Sequence, residues 1–545
     1  MRISAAINRP TLLWVDQICI DQSNEIEKSV QVSLISTIYR AAAEVIVWLG
    51  GIGYSLFADD FGSTVARIAH ARASPTAARI ATHLSHGNVA KAYREHQRHQ
   101  DENGKMRYND LHRLCALIRS PWFTRVWVLQ EVVAARKITA FAGLHVDWYT
   151  FSEAAQWIIE GGFYILEHEG GLGHGFQFLH LVQGLRLSNR IPLLYLLLMT
   201  RAMKATDPRD KVFATYSLAS DCQTLRFRID YRESLSRVYG GVALAILERD
   251  RCLDFLSVPR PICTEQPPLP SWTPDWRQRG GVMVSLALGG SRLASHTGQC
   301  LFRASQMTLA TPQAYHEDGI LRIEGMYFDS ISTLWEVYGS NLMDEDIVEL
   351  ANSAHDNEAS LLSSVRVFQS WKSSTAGATK LEPSNEDKAD IFLNVLSAGG
   401  AAKDLKEYRR LERNFRTLSL CHRLTHRFVA RLPFRERLLR RILWILHHLA
   451  IYAGNWLDCQ DFIPTVLVPS VGRRLGRTAK DYLALLSRGA EVDDQIFLVK
   501  GSKTPLVLRP VEGTEYWTFV GDCYVHGIMR GEAFEEAECR EMHLV

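Results

Sequence analysis

The sequence predicts an α/β N-terminal domain built on a parallel sheet, then a mainly α-helical middle region, then a small β-rich C-terminal module. Three observations predict it. Residues 12–49 alternate short apolar runs with a helical stretch; from 151 to 249 apolar residues recur at helical spacing; and β-type runs separated by glycine-containing turns close the chain.

Leu12 to Val15 is a short apolar run that opens into Asp-Gln-Ile-Cys-Ile-Asp-Gln, the pattern of a buried strand followed by a polar loop. From Glu25, the spacing of Ile26, Val30, Leu34, Ile38 and Ala41 predicts a helix with acids in its first turn. Val45 to Leu49 reads as a second strand, completing a βαβ unit whose strands should be parallel. The stretch 63–107 is rich in Ala, His, Arg and Gln and reads as an insertion. Ser120-Pro121 is a good helix start, and the apolar residues that follow occupy nearly every face of a helix running to Lys137. Ile138 to Phe141 reads as a third strand.

Helices are expected over 151–159, 178–200, 207–221 and 233–249, with Asp207-Pro208-Arg209-Asp210 as a helix start. The segment 258–276, ending Leu-Pro-Ser-Trp-Thr-Pro-Asp-Trp, has the composition of a linker or packed loop. Strands are expected at Gln495 to Val499, Thr504 to Leu508 and Tyr516 to Val520. The organisation is therefore 1–150 as the α/β domain, 151–257 helical, 258–290 a Pro/Trp-rich linker or packed loop, 291–480 mixed and largely helical with a loose loop at 369–390, and 481–545 β-rich.

Composition narrows the function classes. A chain of 545 residues carries a prior of roughly three to four domains, and 47% hydrophobic with 22% charged residues excludes a disordered or collagen-like chain. Lys plus Arg number 62 against 60 for Asp plus Glu, so the overall charge gives no reason to expect nucleic acid. The ten cysteines include no C-x-x-C pair, which leaves neither a zinc site nor a redox centre and fits reduced thiols. Met1 to Gln17 lacks the basic start, apolar run and cleavage site of a secretory signal, so a cytoplasmic protein is expected. The apolar runs at 191–199 and 442–453 are short of the roughly 20 residues that span a bilayer. His422 and His426 share helical spacing but no acid completes a metal site, and the arginines of 409–441 are interspersed with Glu412 and Glu436, as on a salt-bridged surface helix.

Several blocks together resemble one family. LLWVDQICIDQ at 12–22, Ala41 to Gly50 with Val45-Ile46-Val47-Trp48-Leu49, and Trp122 to Val132 followed by Gly143 and Trp148 are similar to the signature of fungal heterokaryon-incompatibility (HET) domains. Asp207 to Phe213, Leu269 to Trp276 and Tyr524 to Glu532 resemble blocks that follow such domains. The resemblance implies a TIR/flavodoxin-like sheet. It also implies that the first strand, with its Ser-Tyr-x-Trp-Gly type motif, is missing ahead of Met1, so the domain is N-terminally shortened. The function it implies is a cytoplasmic signalling protein of non-self recognition, whose HET domain triggers programmed cell death. Its partners would be other proteins of incompatibility signalling, with a homo-oligomer on activation. A non-catalytic scaffold or decayed paralogue is the alternative.

Candidate chemistry centres on Glu131, an acid inside an otherwise apolar helix and one turn after Trp127. In TIR domains that cleave NAD, a glutamate in a Trp-x-x-x-Glu arrangement assists loss of nicotinamide, and Trp127 with Glu131 looks similar. NAD is then a substrate; no cofactor and no metal is implied. The other role open to Glu131, with Gln130, is to hydrogen-bond loop backbone and hold the fold. Asp16, Asp21 and Gln22 lie beyond the first strand, where ligands of open α/β sheets bind, and could form a pocket rim with Asp16 as a third catalytic group. Short acids also brace loops and cap helices, the role favoured for Asp21, while Asp16 stays open. Cys19, between two isoleucines, reads as a small core residue.

Overall fold

The structure is a computed structural model that describes residues 12–49, 118–141, 145–160, 174–188, 190–259, 268–277, 285–288, 302–311, 319–338, 367–368, 370–371, 388–399 and 468–545. The expected insertion at 63–107, the arginine-rich 409–441, the histidines from 422 to 448 and most of the 369–390 loop lie outside the described residues.

The N-terminal module differs from expectation at its start. Leu12 to Val15 is not a strand; it is followed by a single helical turn, Asp16–Cys19. The turn is held locally: the Val15 carbonyl accepts from the N–H groups of Ile18 and Cys19, and the Asp16 carbonyl from Ile20, so the chain leaves an extended path straight after Val15. Leu12 and Leu13 are exposed, and Trp14 packs edge-on against Tyr39 at 5.7 Å. Cys19 is exposed rather than in the core.

Helix α1 (Glu25–Ala41) forms as the spacing predicts, capped by the Asn24 side chain, which accepts from Ile26 N–H and Glu27 N–H. Its orientation is the surprise. Ile26, Val30 and Leu34, whose spacing predicted the helix, are 63%, 52% and 44% exposed, and Val32 and Ile35 make the core contact instead. Strand β1 (Val45–Trp48) pairs in parallel with β2 (Ile138–Phe141), in register Val45 with Ile138, and β3 (His145–Asp147) adds antiparallel to β2. The small sheet is therefore mixed.

The long helix expected from Ser120 is broken in two. A 3-10 turn at Pro121–Thr124, with Ser120 as N-cap, precedes α2 (Val128–Ala134), and between them Arg125 is extended. There Lys204 N–H donates to the Thr124 carbonyl while Val126 N–H donates to the Lys204 carbonyl at 3.0 Å, a pairing no continuous helix permits. Val128, Leu129 and Val132 of α2 are fully buried.

Helices α3 (Trp148–Glu160), α4 (His174–Ser188), α5 (Leu193–Met199), α6 (Asp210–Tyr216) and α7 (Leu235–Asp250) make the helical layer. The single helix expected over 178–200 is interrupted at Pro192, which has no N–H to continue it. Asp207 ends up ahead of α6, its carboxylate accepting from Arg209 N–H at 2.9 Å and from the Arg209 guanidinium.

The segment at 268–277 is a packed loop that joins what lies on either side. Trp272 and Trp276 are 2% exposed, and the Trp272 indole N–H donates to the Gly319 carbonyl at 2.8 Å. Ser271 ties the loop to the chain's last strands, its N–H donating to Val545 and its hydroxyl accepting from Phe519 N–H.

The β-rich part is larger than the expected module and begins well before residue 481. Strand β4 (Leu321–Val337) lies within the stretch read as largely helical and runs 17 residues. It is followed by β5 (Arg473–Thr478), β6 (Leu483–Ser487), β7 (Gln495–Val499), β8 (Leu506–Pro510), β9 (Tyr516–Asp522), β10 (Tyr524–Val525) and β11 (Arg540–Leu544). The order β4-β11-β9-β8-β7 closes on itself because β7 also pairs with β4, and β5-β6-β10 extends from the far half of β4. Closure removes exposed edges. Alternation along the strands serves two cores. Leu498 and Val507 join a cluster with Met326 and Phe328, while Phe497, Val499, Leu506 and Leu508 face the core that also holds Val47, Val128, Phe213, Ile246 and Trp272. Burial on both faces explains the near-continuous apolar runs at 496–499 and 506–508.

Candidate functional site

Glu131 lies in the first turn of α2, its N–H bonded to the Trp127 carbonyl at 3.4 Å. Neighbouring protein encloses it, although part of the side chain stays reachable by solvent. Loss of water raises its pKa to about 7; the nearby Asp16 carboxylate pushes the same way and the Arg125 guanidinium opposes. Tyr39 of α1 belongs to the same group: burial first, then the charges of Glu131 and Asp16, drive its hydroxyl well above the ordinary value. Glu131 and Tyr39 thus both feel the charges of Asp16 and Arg125 across the seam between the N-terminal turn, α1 and α2. A carboxyl that changes charge near neutrality can hold or release a proton, the property an acid-base group needs.

The other expected residues separate from this group. The Trp127 indole is directed at buried Asp210, whose carboxylate also accepts from the Tyr231 hydroxyl at 2.5 Å; burial raises the Asp210 pKa against these two bonds. Lys28 of α1 sits 4.1 Å from the centre of the Tyr231 ring. Gln130 is 1% exposed and donates to the Ser217 hydroxyl at 2.7 Å and the Phe213 carbonyl at 3.4 Å, fastening α2 to α6.

Asp21 and Gln22 are exposed and engaged locally. The Asp21 carboxylate accepts from Ser23 hydroxyl and N–H, bonds that hold its pKa below the usual value, and Asp21 N–H donates to Glu27. The Gln22 amide donates to the Asp16 carbonyl at 3.2 Å. Both brace the loop that enters α1.

A cavity of about 540 Å³ opens elsewhere, where the start of β2 meets α3 and α4, lined in part by Arg136, Tyr149, Ser152, Trp157 and Arg186. No single stretch of sequence signals it, because its walls come from residues 136–187 brought together by packing. Among the described residues, no group of three His, Cys, Asp or Glu side chains could hold a metal ion, and no helix is long and apolar enough to cross a membrane.

The blocks that follow the N-terminal domain carry structural work. Lys211 is 4% exposed and donates to the carbonyls of Arg201 and Met203. Arg277 and Asp275 form a buried ion pair at 2.7 Å. Gly531 has φ +92 and lies so close to Gln306 that a Cβ there would meet its Cγ at 2.4 Å. A second buried pair joins two strands, Arg473 Nη2 of β5 donating to Asp522 of β9 at 2.7 Å, and Asp522 reaches outside the strands by accepting from the Ser257 hydroxyl and Leu286 N–H.

Fold and site thus define a protein in which a small α/β module and a closed β-barrel share a helical core. Known proteins carry the same pairing. The family model described as heterokaryon incompatibility protein (HET) matches residues 1–131, and that described as Het-6 beta-barrel domain matches residues 308–545. The chain is 24% identical to heterokaryon incompatibility protein 6, OR allele, of Neurospora crassa, over 98% of this chain and 83% of that relative. No solved structure gives a significant match. The chain therefore carries a HET domain match at its N-terminal end and a Het-6 barrel match at its C-terminal end.

Proposed function

We propose that this protein acts in heterokaryon incompatibility, as a cytoplasmic non-self recognition protein whose HET domain triggers programmed cell death. The observation that carries this reading is the union of a HET module and a Het-6 type barrel around one core, paralleled along 98% of the chain by an incompatibility protein. In this reading the barrel receives the signal and the HET module delivers it. Other proteins of incompatibility signalling are the partners, and a homo-oligomer is the active form.

A second reading gives the HET module a TIR-like fold and NAD cleavage. It is supported by Glu131, a desolvated carboxyl with a pKa of about 7 beside Asp16. A carboxylate there would stabilise an oxocarbenium-like ribosyl transition state electrostatically.

The experiment expresses wild type, Glu131→Ala and Glu131→Gln at matched levels in a fungal host, with viability and cellular NAD as readouts. Death with NAD loss that both variants abolish supports cleavage. Death without NAD loss supports signalling alone. A wild type that leaves growth unchanged, alone and beside an incompatible partner strain, refutes both readings.

A further inference from the structure

We propose that the cavity at the amino end of β2 is a binding site for a small planar anion, an aromatic ring bearing a carboxylate or phosphate. It goes beyond the incompatibility reading and does not depend on Glu131, which is absent from its lining.

Size is the first argument. About 540 Å³ falls within the roughly 300–1,000 Å³ of small-molecule sites. Its walls offer the mixture such sites use, a hydrophobic floor with a few convergent polar groups. Leu179 and Val182 are about 5% exposed and form the floor.

Charge sets the sign of the ligand. Arg136, Lys137 and Arg186 line the cavity against one carboxylate, Glu153. Lys137 is paired with Glu44 at 3.0 Å and both Nη atoms of Arg186 bond backbone carbonyls, so the direct grip falls to Arg136. Arg186 is already oriented: its Nη atoms donate to the Val132 and Ala135 carbonyls at 3.0 and 3.2 Å, which fixes the plane of the guanidinium. Arg186 thus supplies a fixed positive charge in the wall, and the Arg136 guanidinium supplies the planar fork that suits the two oxygens of a carboxylate or phosphate.

The rim supplies the ring contact. Tyr149 is 70% exposed, large for an aromatic side chain at a cavity mouth, and Trp157 is half-buried on the same wall. The cavity lies at the start of β2, whereas ligands of open α/β sheets bind beyond the carboxyl ends of strands. It is therefore a site the sequence pattern gave no reason to expect.

The test titrates the full-length protein calorimetrically with adenosine monophosphate and indole-3-acetate, which join a ring to an anion. Adenosine and inorganic phosphate, and indole and acetate, each with half of that chemistry, are the controls. The expected result is that at least one ring-anion probe binds at least tenfold tighter than either of its halves, and that Arg136→Ala and Tyr149→Ala each weaken it about tenfold. Both residues are exposed, so the variants should fold, which circular dichroism verifies. The preferred probe identifies the anion as phosphate or carboxylate. Absence of binding by both ring-anion probes at millimolar concentration overturns the proposal, as does binding that neither substitution changes.

Discussion

Replacing Glu131 by Gln should make the protein's stability less dependent on pH and raise it above neutrality. Glutamine keeps the shape of the protonated acid and cannot ionise. In the folded chain the carboxyl titrates near 7 instead of 4.5, mainly because burial withholds water, with Asp16 adding repulsion. A raised acid pKa means that the folded state binds the proton more tightly than the unfolded chain. The stability this confers is fully present below about pH 4.5 and is lost as pH rises through 7. At about 1.36 kcal/mol per pH unit the whole loss is about 3 kcal/mol, a ceiling because solvent still reaches part of the side chain. Urea unfolding of both proteins from pH 5 to 8.5 measures it. The stability difference in favour of Glu131→Gln should widen with pH and level off near pH 8. A difference that stays constant across this range would refute the account of a desolvated, neutral carboxyl.

Three further outcomes follow from the geometry. Asp522→Ala leaves the Arg473 charge buried without its partner and should cost about 3–5 kcal/mol in urea unfolding, with Arg473→Met in the same chain recovering most of it; equal stability of the single variant and wild type would contradict this. Gly501→Ala forces an alanine to φ +78 with its Cβ 2.6 Å from Ala310, so a loss of at least about 1–3 kcal/mol is expected in the unfolding midpoint. Tyr231→Phe removes the hydroxyl that donates to Asp210, raising the Asp210 pKa further and lowering stability at pH 7 by about 1.5–3 kcal/mol; the loss should shrink as pH falls and Asp210 protonates in both proteins.

The comparison of sequence with structure turns on which interactions are local. β7 was legible at Gln495 to Val499 because burial on both faces makes a continuous apolar run bounded by turns. Asp21 was legible as a bracing residue since its partners, Ser23 and Glu27, are within six positions. β4 was not, because Gly325, Asp329, Ser330 and Glu336 interrupt its apolar residues and register shifts after Tyr327 and Ile331 break its alternation. The helix from Ser120 was misjudged for a different reason: Lys204, far along the chain, competes for the Thr124 carbonyl. Glu131 stood out in sequence as an acid among apolar neighbours, but the partner of Trp127 is Asp210, which no short-range pattern reveals.

The partners of β4 carry a consequence for how the chain is made. Every strand it bonds begins at Arg473 or later, and Leu321 at its start pairs with Leu544. The barrel therefore cannot close until residues 540–544 have been synthesised, and such non-local pairing is slow because a long loop must be closed before any contact rewards it. The α/β sheet needs only residues up to 147 and can assemble far earlier. During that interval the helical face that will meet Leu508 and Phe519 has no cover, which makes the half-made protein a client for chaperones and a site for aggregation. Closure of the barrel therefore waits on Arg540–Leu544, the strand that bonds both β4 and β9.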